Sequence, residues 1–137
     1  MKRDTTARVC VIGAGPSGIA AGKNLLQAGL RNIVIYEKGD QVGGNWVYSP
    51  RLSHSSVFET THIISSKTHS QYDDYPMPAD YPDYPSHKQL LAYFQGYAEH
   101  FGLMPYIRFN TEVTHVEKQA DETWKITLGD GTLDRKS

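Results

Sequence analysis

The pattern of hydrophobic and polar positions predicts a strand, a helix and a second strand near the start of the chain. A continuous β-branched run, Val9 to Ile12, is typical of a buried parallel strand. From Pro16 the apolar positions follow helical spacing, and Gly29 marks the end of the helix. The run NIVIYE, residues 32–37, predicts a second buried strand. Together these elements form a βαβ unit of about 30 residues, which indicates an α/β fold.

A proline-rich segment separates this unit from a second helix. Residues 76–85 contain four prolines, which exclude a regular helix or a central strand and predict an ordered surface loop. Ser86 and Gln89 have the spacing of a capping box. The apolar positions that follow predict a helix that ends at Gly102.

Strand-like runs fill the end of the chain. Residues 106–118 and 123–128 alternate as strands do, and Asp130-Gly131 predicts a hairpin turn. The residues after this turn, 132–137, are a poor strand, so the hairpin is expected to remain incomplete.

Composition excludes several classes of protein. The 137 residues include 14 basic and 15 acidic side chains. The chain therefore lacks the excess of basic side chains that would indicate binding to nucleic acid or to an anionic membrane surface. Cys10 is the only cysteine, and its place in an apolar run predicts a buried small hydrophobe. Neither a signal peptide nor a membrane-spanning segment is recognised, and the expected location is cytoplasmic. Six histidines without metal-ligand spacing are predicted as surface or loop residues: His54, His62, His69, His87, His100 and His115.

The first strand ends in the motif G-x-G-x-x-G, formed by Gly13, Gly15 and Gly18. Gly13 permits a tight turn, Gly15 lets the backbone approach a pyrophosphate, and Gly18 allows close packing of helix and strand. The helix N-terminus attracts an anion, and Pro16 suits a first-turn position where a missing N–H costs nothing. Glu37, at the end of the second strand, can bind ribose hydroxyls and would repel a 2′-phosphate. The ligand is therefore predicted to be NAD or FAD, which spacing alone does not separate.

The next segments resemble one family. Residues 37–46, EKGDQVGGNW, resemble the E-K-x-x-x-x-G-G-x-W segment of flavin-dependent monooxygenases. Residues 54–67 and 72–103 are similar to the flavin-containing monooxygenases in particular, and the resemblance covers residues 8–128. Disulfide reductases have a cysteine pair that is missing here, and amine oxidases have an arginine where Asn45 stands. Baeyer–Villiger enzymes have a longer aromatic segment after the tryptophan, which residues 47–52 lack. The flavin-containing monooxygenases therefore remain the best match.

The resemblance implies an FAD-binding unit of the type with two dinucleotide-binding domains. It implies pyrophosphate on Gly13–Gly18, ribose on Glu37 and the flavin beside Gly44–Trp46. NADPH, bound mainly in a second domain, would reduce the flavin, and a flavin C4a-hydroperoxide would oxygenate a soft nitrogen or sulfur nucleophile. Such chemistry needs no metal. The expected cofactor-binding residues are Gly13, Ala14, Gly15, Pro16, Ser17, Gly18, Glu37, Lys38, Gly44, Asn45, Trp46, Ile64 and Ser65.

Two departures from the family pattern affect the expected activity. Ile64 stands where the family usually has an asparagine near the flavin, so the catalytic residue is unassigned and leakage to hydrogen peroxide is expected unless Ser65 or Ser66 substitutes. A second glycine motif for NADPH is missing, so we expect a C-terminally incomplete FAD-binding domain that is inactive alone. One alternative is a truncated non-catalytic remnant that binds FAD weakly or needs a partner to fold, and the other is an NAD-binding oxidoreductase module. The expected segments are a flexible arm (1–7), the βαβ dinucleotide motif (8–46), a Pro/Ser-rich loop region (47–85) and a helix with strands (86–137).

Overall fold

The computed structural model describes residues 5–49 and 57–136. Part of the predicted arm, residues 1–4, lies outside this range, and so does His54. The elements are β1 (Val9–Ile12), α1 (Pro16–Gln27), β2 (Ile33–Tyr36), α2 (Lys67–Ser70), α3 (His87–His100), β3 (Ile107–Arg108), β4 (Val113–Lys118), β5 (Trp124–Leu128) and β6 (Leu133–Lys136). The predicted βαβ unit is confirmed, because β1 and β2, which precede and follow α1 in the sequence, pair in parallel.

Two sheets and a helical layer make up the fold. β1, β2 and β3 form a parallel sheet, and β4, β5 and β6 form an antiparallel sheet. Successive side chains of a strand point to opposite faces. Ile35 of β2 therefore joins the core made with α1 and α3, whereas Val34 and Tyr36 pack against Ile126 and Leu128 of β5. The parallel sheet thus lies between the helices and the antiparallel sheet.

β1 is less buried than its apolar sequence predicts. Within the described residues it is an edge strand, with β2 as its only neighbour. Ile12 is 59% exposed, and Cys10 is half-buried. The predictions of a fully buried strand and a buried Cys10 are therefore wrong. An apolar run indicates that a strand can be buried, but strand order decides how much of it is covered.

The predicted strand over residues 106–118 is two strands that belong to different sheets. β3 pairs in parallel with β2, whereas β4 pairs antiparallel with β5. Asn110 lies between them with φ +52°, a left-handed conformation that asparagine tolerates better than most residues. The chain leaves the parallel sheet at this point, which the continuous alternation of the sequence does not reveal.

The hairpin after Asp130-Gly131 is complete, contrary to expectation. β6 pairs antiparallel with β5, with Leu133 opposite Thr127. Asp134 of β6 accepts a hydrogen bond from the Tyr36 hydroxyl. The strand lacks an apolar pattern because a polar contact, rather than a buried hydrophobic side chain, ties it to the parallel sheet.

α3 begins and ends where the sequence predicts. Ser86 Oγ accepts a hydrogen bond from the Gln89 N–H at 3.3 Å, and Gln89 Oε1 accepts one from the Ser86 N–H at 3.0 Å. Gly102 follows the helix with φ +67°. The surface assignment of His87 is wrong: it is 1% exposed, and its Nε2 lies 2.9 Å from the Glu59 carbonyl oxygen. The segment before α2 folds back over the start of α3 and covers this ring.

Two kinds of feature are missing from the part of the chain that the structure describes. Its helices are all too short or too polar to cross a membrane. The same residues contain no group of three or more histidine, cysteine or acidic side chains placed to hold a metal ion.

Candidate functional site

The turn between β1 and α1 requires glycine at two of the motif positions. Gly13 has φ +93°, and its N–H donates a hydrogen bond to the Tyr36 carbonyl at 2.7 Å. A Cβ placed on Gly18 would lie 1.9 Å from the Gly13 carbonyl oxygen. The close approach predicted for Gly18 is thus a contact with the turn itself, and any larger residue would force the helix away from it.

The first turn of α1 presents backbone donors at its N-terminus. Pro16 is the first residue of the helix, as predicted, and Gly15 is its N-cap. The Ile19 N–H donates to the Gly15 carbonyl at 3.1 Å. The N–H groups of Ser17 and Gly18 precede this bond, so the helix itself offers them no acceptor. They form the positive end of the helix dipole.

The G-x-G-x-x-G turn contacts a second motif, the paired glycines Gly43 and Gly44 of the G-G-x-W segment. A Cβ on Gly44 would lie 2.9 Å from the Gly15 Cα, and a Cβ on Gly15 would lie 3.4 Å from the Gly44 Cα. The Gly43 N–H donates to the Ala14 carbonyl at 3.1 Å. Gly44 opens a single 3₁₀ turn that ends at Trp46. Glycine at position 15 therefore allows the second motif to approach, in addition to any ligand.

Glu37 joins the end of β2 to the glycine turn. Its carboxylate is buried, with the residue only 8% exposed. Oε1 accepts a hydrogen bond from the Ala14 N–H at 2.9 Å, and Oε2 accepts one from the Gly39 N–H at 2.6 Å. A carboxylate has about four acceptor positions. Glu37 can therefore stabilise the turn and accept further hydrogen bonds from a ligand.

A cleft of about 1030 Å³ opens beside this carboxylate. It is as large as the upper end of the range of roughly 300–1,000 Å³ that is common for small-molecule sites. Several of the predicted cofactor-binding residues line it together: Gly13, Glu37, Lys38, Gly44 and Asn45. The structure thus brings parts of both glycine motifs and the end of β2 to one surface.

The sequence pattern did not indicate a second wall of the cleft. It is formed by Asn110–Val113, between β3 and β4, and by Leu128–Asp130, at the end of β5. The Thr111 N–H donates to the Glu37 carbonyl at 2.9 Å, and the Asn110 N–H donates to the Gly39 carbonyl at 2.8 Å. The polar residues Asn110 and Thr111 in an otherwise strand-like run were the available signal, since ligands bind beyond the carboxyl ends of parallel strands.

The charged side chains that line the cleft are mainly acidic. Lys38 is the one ammonium group among the described lining residues. Four lining side chains are carboxylates: Glu37, Asp40, Glu112 and Asp130. Hydrogen bonds from Thr132 hold the pKa of the Asp130 carboxyl below its usual value, so it is ionised at neutral pH. Such a lining is electrostatically unfavourable for a phosphate monoester.

Other predicted residues lie outside the cleft. Ala14 is fully buried, and Trp46 packs against the hydrophobic core. Ile64 is 97% exposed. The Ser65 hydroxyl oxygen lies 2.5 Å from that of Ser70. The structure therefore brings part of the predicted cofactor-binding set to the cleft. Gly15–Gly18 are not in its lining, and Ile64 and Ser65 lie on a separate exposed segment.

Residues 6–129 match the family model for flavin-binding monooxygenase-like proteins. Flavin-containing monooxygenase 5 from Rattus norvegicus is 40% identical over 116 residues, which are 83% of this chain and 22% of that protein. Flavin-containing monooxygenase FMO GS-OX-like 5 from Arabidopsis thaliana is 34% identical over 140 aligned positions, covering 86% of this chain and 31% of that protein. The chain thus spans less than a third of these curated relatives.

Solved structures show the same fold. A flavin-containing monooxygenase from Stenotrophomonas maltophilia superposes with a TM-score of 0.76 at 28% identity, covering 93% of this chain and 35% of that one. S-allyl-L-cysteine S-oxygenase from Allium sativum has a TM-score of 0.86 at 24% identity, covering 96% of this chain and 34% of that one. These likenesses confirm the predicted α/β fold of Rossmann type.

Proposed function

The chain belongs to the flavin-binding monooxygenase-like family, and we propose that it binds FAD in the cleft beside Glu37. The observation that carries the proposal is that Gly13, Glu37 and Gly44 line the same cleft. Gly13 permits a close approach of the backbone to the ligand, and Glu37 supplies an acceptor for the ribose. Gly44 belongs to the paired glycines of the G-G-x-W segment. A dinucleotide with an unphosphorylated ribose fits all three features.

The adenosine half of FAD is assigned to Glu37 and the unpredicted wall. The carboxylate oxygens of Glu37 each accept one backbone N–H and have acceptor positions left for the two ribose hydroxyls. Val113 and Leu128 supply apolar surface in the same cleft. The acidic lining disfavours NADPH at this position, so NADPH is assigned to a part of the protein outside this chain.

The pyrophosphate is assigned to the first turn of α1. Gly13 and Gly15 have no side chains to obstruct it, and the N–H groups of Ser17 and Gly18 are donors at the positive end of the helix. Gly44 and Asn45 are assigned to the flavin half, with Trp46 supporting them from the core. Lys38 is the cation available to the anionic ligand in the described lining.

The reaction proposed for the whole protein is oxygenation of a soft nitrogen or sulfur nucleophile. Bound FAD would supply the redox chemistry between NADPH and O₂ and the transfer of one oxygen atom to the substrate. This chain would bind and orient the cofactor. Ile64 and Ser65 are proposed to face the flavin. There the Ile64 side chain would offer no hydrogen bond to the reacting oxygen.

Titration of the purified chain with nucleotides tests the proposal. We expect FAD to bind more tightly than FMN, which lacks the adenosine that Glu37 would contact, and more tightly than NAD⁺ or NADP⁺. Quenching of flavin fluorescence measures the two flavins, and calorimetry measures the two nicotinamide nucleotides. Equal affinities for FAD and FMN would contradict the role of Glu37. Binding of NAD⁺ without binding of FAD would refute the flavin assignment.

A further inference from the structure

Tyr72 connects the segment after α2 to the first residue of α1. Its hydroxyl donates a hydrogen bond to the Pro16 carbonyl at 2.5 Å. The two residues are 56 positions apart in the sequence, and Tyr72 belongs to none of the cofactor motifs. This contact therefore brings a side chain from outside those motifs to the turn where the pyrophosphate is proposed to bind.

The position of the Tyr72 ring is determined by α3. The Tyr72 N–H donates to the Tyr93 hydroxyl oxygen at 2.9 Å, and the Tyr93 hydroxyl donates to the Tyr75 carbonyl. The rings of Tyr72 and Tyr97 lie with centroids 4.3 Å apart. Burial raises the pKa of Tyr72 above its ordinary value, so its hydroxyl keeps the proton it donates. The donor is thus rigid and permanently protonated at neutral pH.

A second contact from the same segment reaches α1 further along. Asp74 forms an ion pair with Lys23, and the Lys23 ammonium also lies 5.5 Å from the centre of the Phe101 ring. Lys23 follows Pro16 by about two helical turns, or roughly 10 Å. Two separate attachments along one helix restrict both its rotation and its sliding. The segment from Tyr72 to Asp74 therefore restrains α1, whose first turn is proposed to bind the pyrophosphate.

The carbonyl that Tyr72 contacts belongs to the same peptide group as the Ser17 N–H. A hydrogen bond to an amide oxygen polarises the amide and strengthens its N–H as a donor. That N–H precedes the first intrahelical bond, so it is available to an anion. We propose that Tyr72 is a positioning residue for the pyrophosphate of the dinucleotide, acting through the Pro16–Ser17 peptide. This inference rests on the proposed binding of FAD.

Tyr81 provides a matched control. Its hydroxyl donates to the Gln89 carbonyl at 3.1 Å, within α3, and it comes from the same segment as Tyr72. Both hydroxyls thus hydrogen-bond to a helical carbonyl, but only that of Tyr72 contacts α1. Tyr72→Phe and Tyr81→Phe each retain the ring and lose one hydrogen bond. Thermal melting of both variants corrects for general loss of stability.

Three measurements on the full chain distinguish a positioning role from a structural one. We expect Tyr72→Phe to weaken FAD binding about three- to tenfold, in line with the loss of one hydrogen bond, and Tyr81→Phe to leave it unchanged. In the ligand-free chain, the amide proton of Ser17 should move upfield in Tyr72→Phe only. The ³¹P resonances of bound FAD should shift in the same variant only.

The outcomes separate the two proposals. If both variants weaken FAD binding equally, or if the Ser17 amide is unchanged in Tyr72→Phe, Tyr72 has only a structural role and the inference is overturned. Tight FAD binding that Tyr72→Phe does not change overturns the inference but leaves the proposed function standing. If the unaltered chain does not bind FAD, the proposed function and this inference fail together.

Discussion

Glu37 accepts a hydrogen bond from the backbone N–H of Ala14 at 2.9 Å, which ties the end of β2 to the glycine turn. The other carboxylate oxygen accepts from the Gly39 N–H. One buried side chain therefore shapes the turn and also borders the cleft. The geometry of the cleft is established before a ligand enters, which reduces the ordering that binding requires.

Substitution of Glu37 tests this double role. Glu37→Gln replaces one acceptor oxygen with an NH₂ group, which must face either a backbone N–H or a ribose hydroxyl. We expect FAD affinity to fall by about 1–3 kcal/mol, measured by fluorescence titration, together with a lower melting temperature. Glu99→Gln, at an exposed position of α3, is the control and should change neither. An unchanged FAD affinity in Glu37→Gln would show that this carboxylate does not contact the ligand.

Contact between the two glycine motifs makes Gly44 sensitive to a single added methyl group. Its φ is +56°, and a Cβ would lie 2.9 Å from the Gly15 Cα. We expect Gly44→Ala to separate the motifs, lower the unfolding free energy by about 1–3 kcal/mol and weaken FAD binding. Gly102→Ala is the control, since its φ of +67° is also left-handed but its Cβ would meet no atom within 4 Å. Equal results for the two variants would contradict the proposed contact.

The ion pair between Asp74 and Lys23 predicts a dependence of stability on pH. The hydrogen bond from the Lys23 ammonium lowers the pKa of the Asp74 carboxyl below its usual value. A carboxyl group with a lowered pKa stabilises the fold above its unfolded pKa, and this stabilisation disappears as pH falls through the folded pKa. Asp74→Asn should therefore be less stable than the unaltered chain near neutral pH, and the difference should vanish in acid.

Urea unfolding followed by circular dichroism across this pH range measures the effect. Asp80→Asn, at an exposed position of the same loop region, serves as the control and should lose less stability at neutral pH. A deficit of Asp74→Asn that persists unchanged in acid would show that the loss does not come from the ion pair.

The bond between Tyr36 and Asp134 joins the two sheets. Burial, followed by the hydrogen bond to Asp134, raises the pKa of Tyr36 to about 12. Either Tyr36→Phe or Asp134→Ala removes this bond, so each should lower the unfolding free energy by about 1–3 kcal/mol. The double variant should lose less than the sum of the two, because the shared interaction is lost only once. Additive losses in urea unfolding would exclude a significant contribution from this bond.

Ile64 allows a test of the proposed flavin end. Because this side chain is 97% exposed, Ile64→Asn should leave the melting temperature unchanged. We expect the FAD-loaded variant, reduced chemically and then mixed with O₂, to return to oxidised flavin several-fold more slowly. The reason is that an amide can hydrogen-bond to the reacting oxygen and delay its release as hydrogen peroxide. Phe58→Asn, at another exposed apolar position, is the control. Identical reoxidation rates in both variants would place Ile64 away from the flavin.

The sequence by itself determined the features that depend on neighbouring residues. The glycine turn, the capping box at Ser86 and the helix stop at Gly102 were predicted and are confirmed. Each is decided by steric limits or hydrogen bonds within a few positions. The assignment of Glu37 to the end of β2 also follows from local pattern. Of these features, the glycine turn and Glu37 contribute to the lining of the cleft.

Only the tertiary structure decided the rest. The second wall at Asn110–Val113, the complete β6 and the buried His87 depend on contacts between segments far apart in the chain. Apolar alternation states which face of a strand can be buried, but not which sheet the strand joins. The hydrogen bond from Tyr72 to Pro16 spans 56 positions and has no local signature. It exists because α3, which holds Tyr72 in place, packs in the same core as α1, which begins at Pro16.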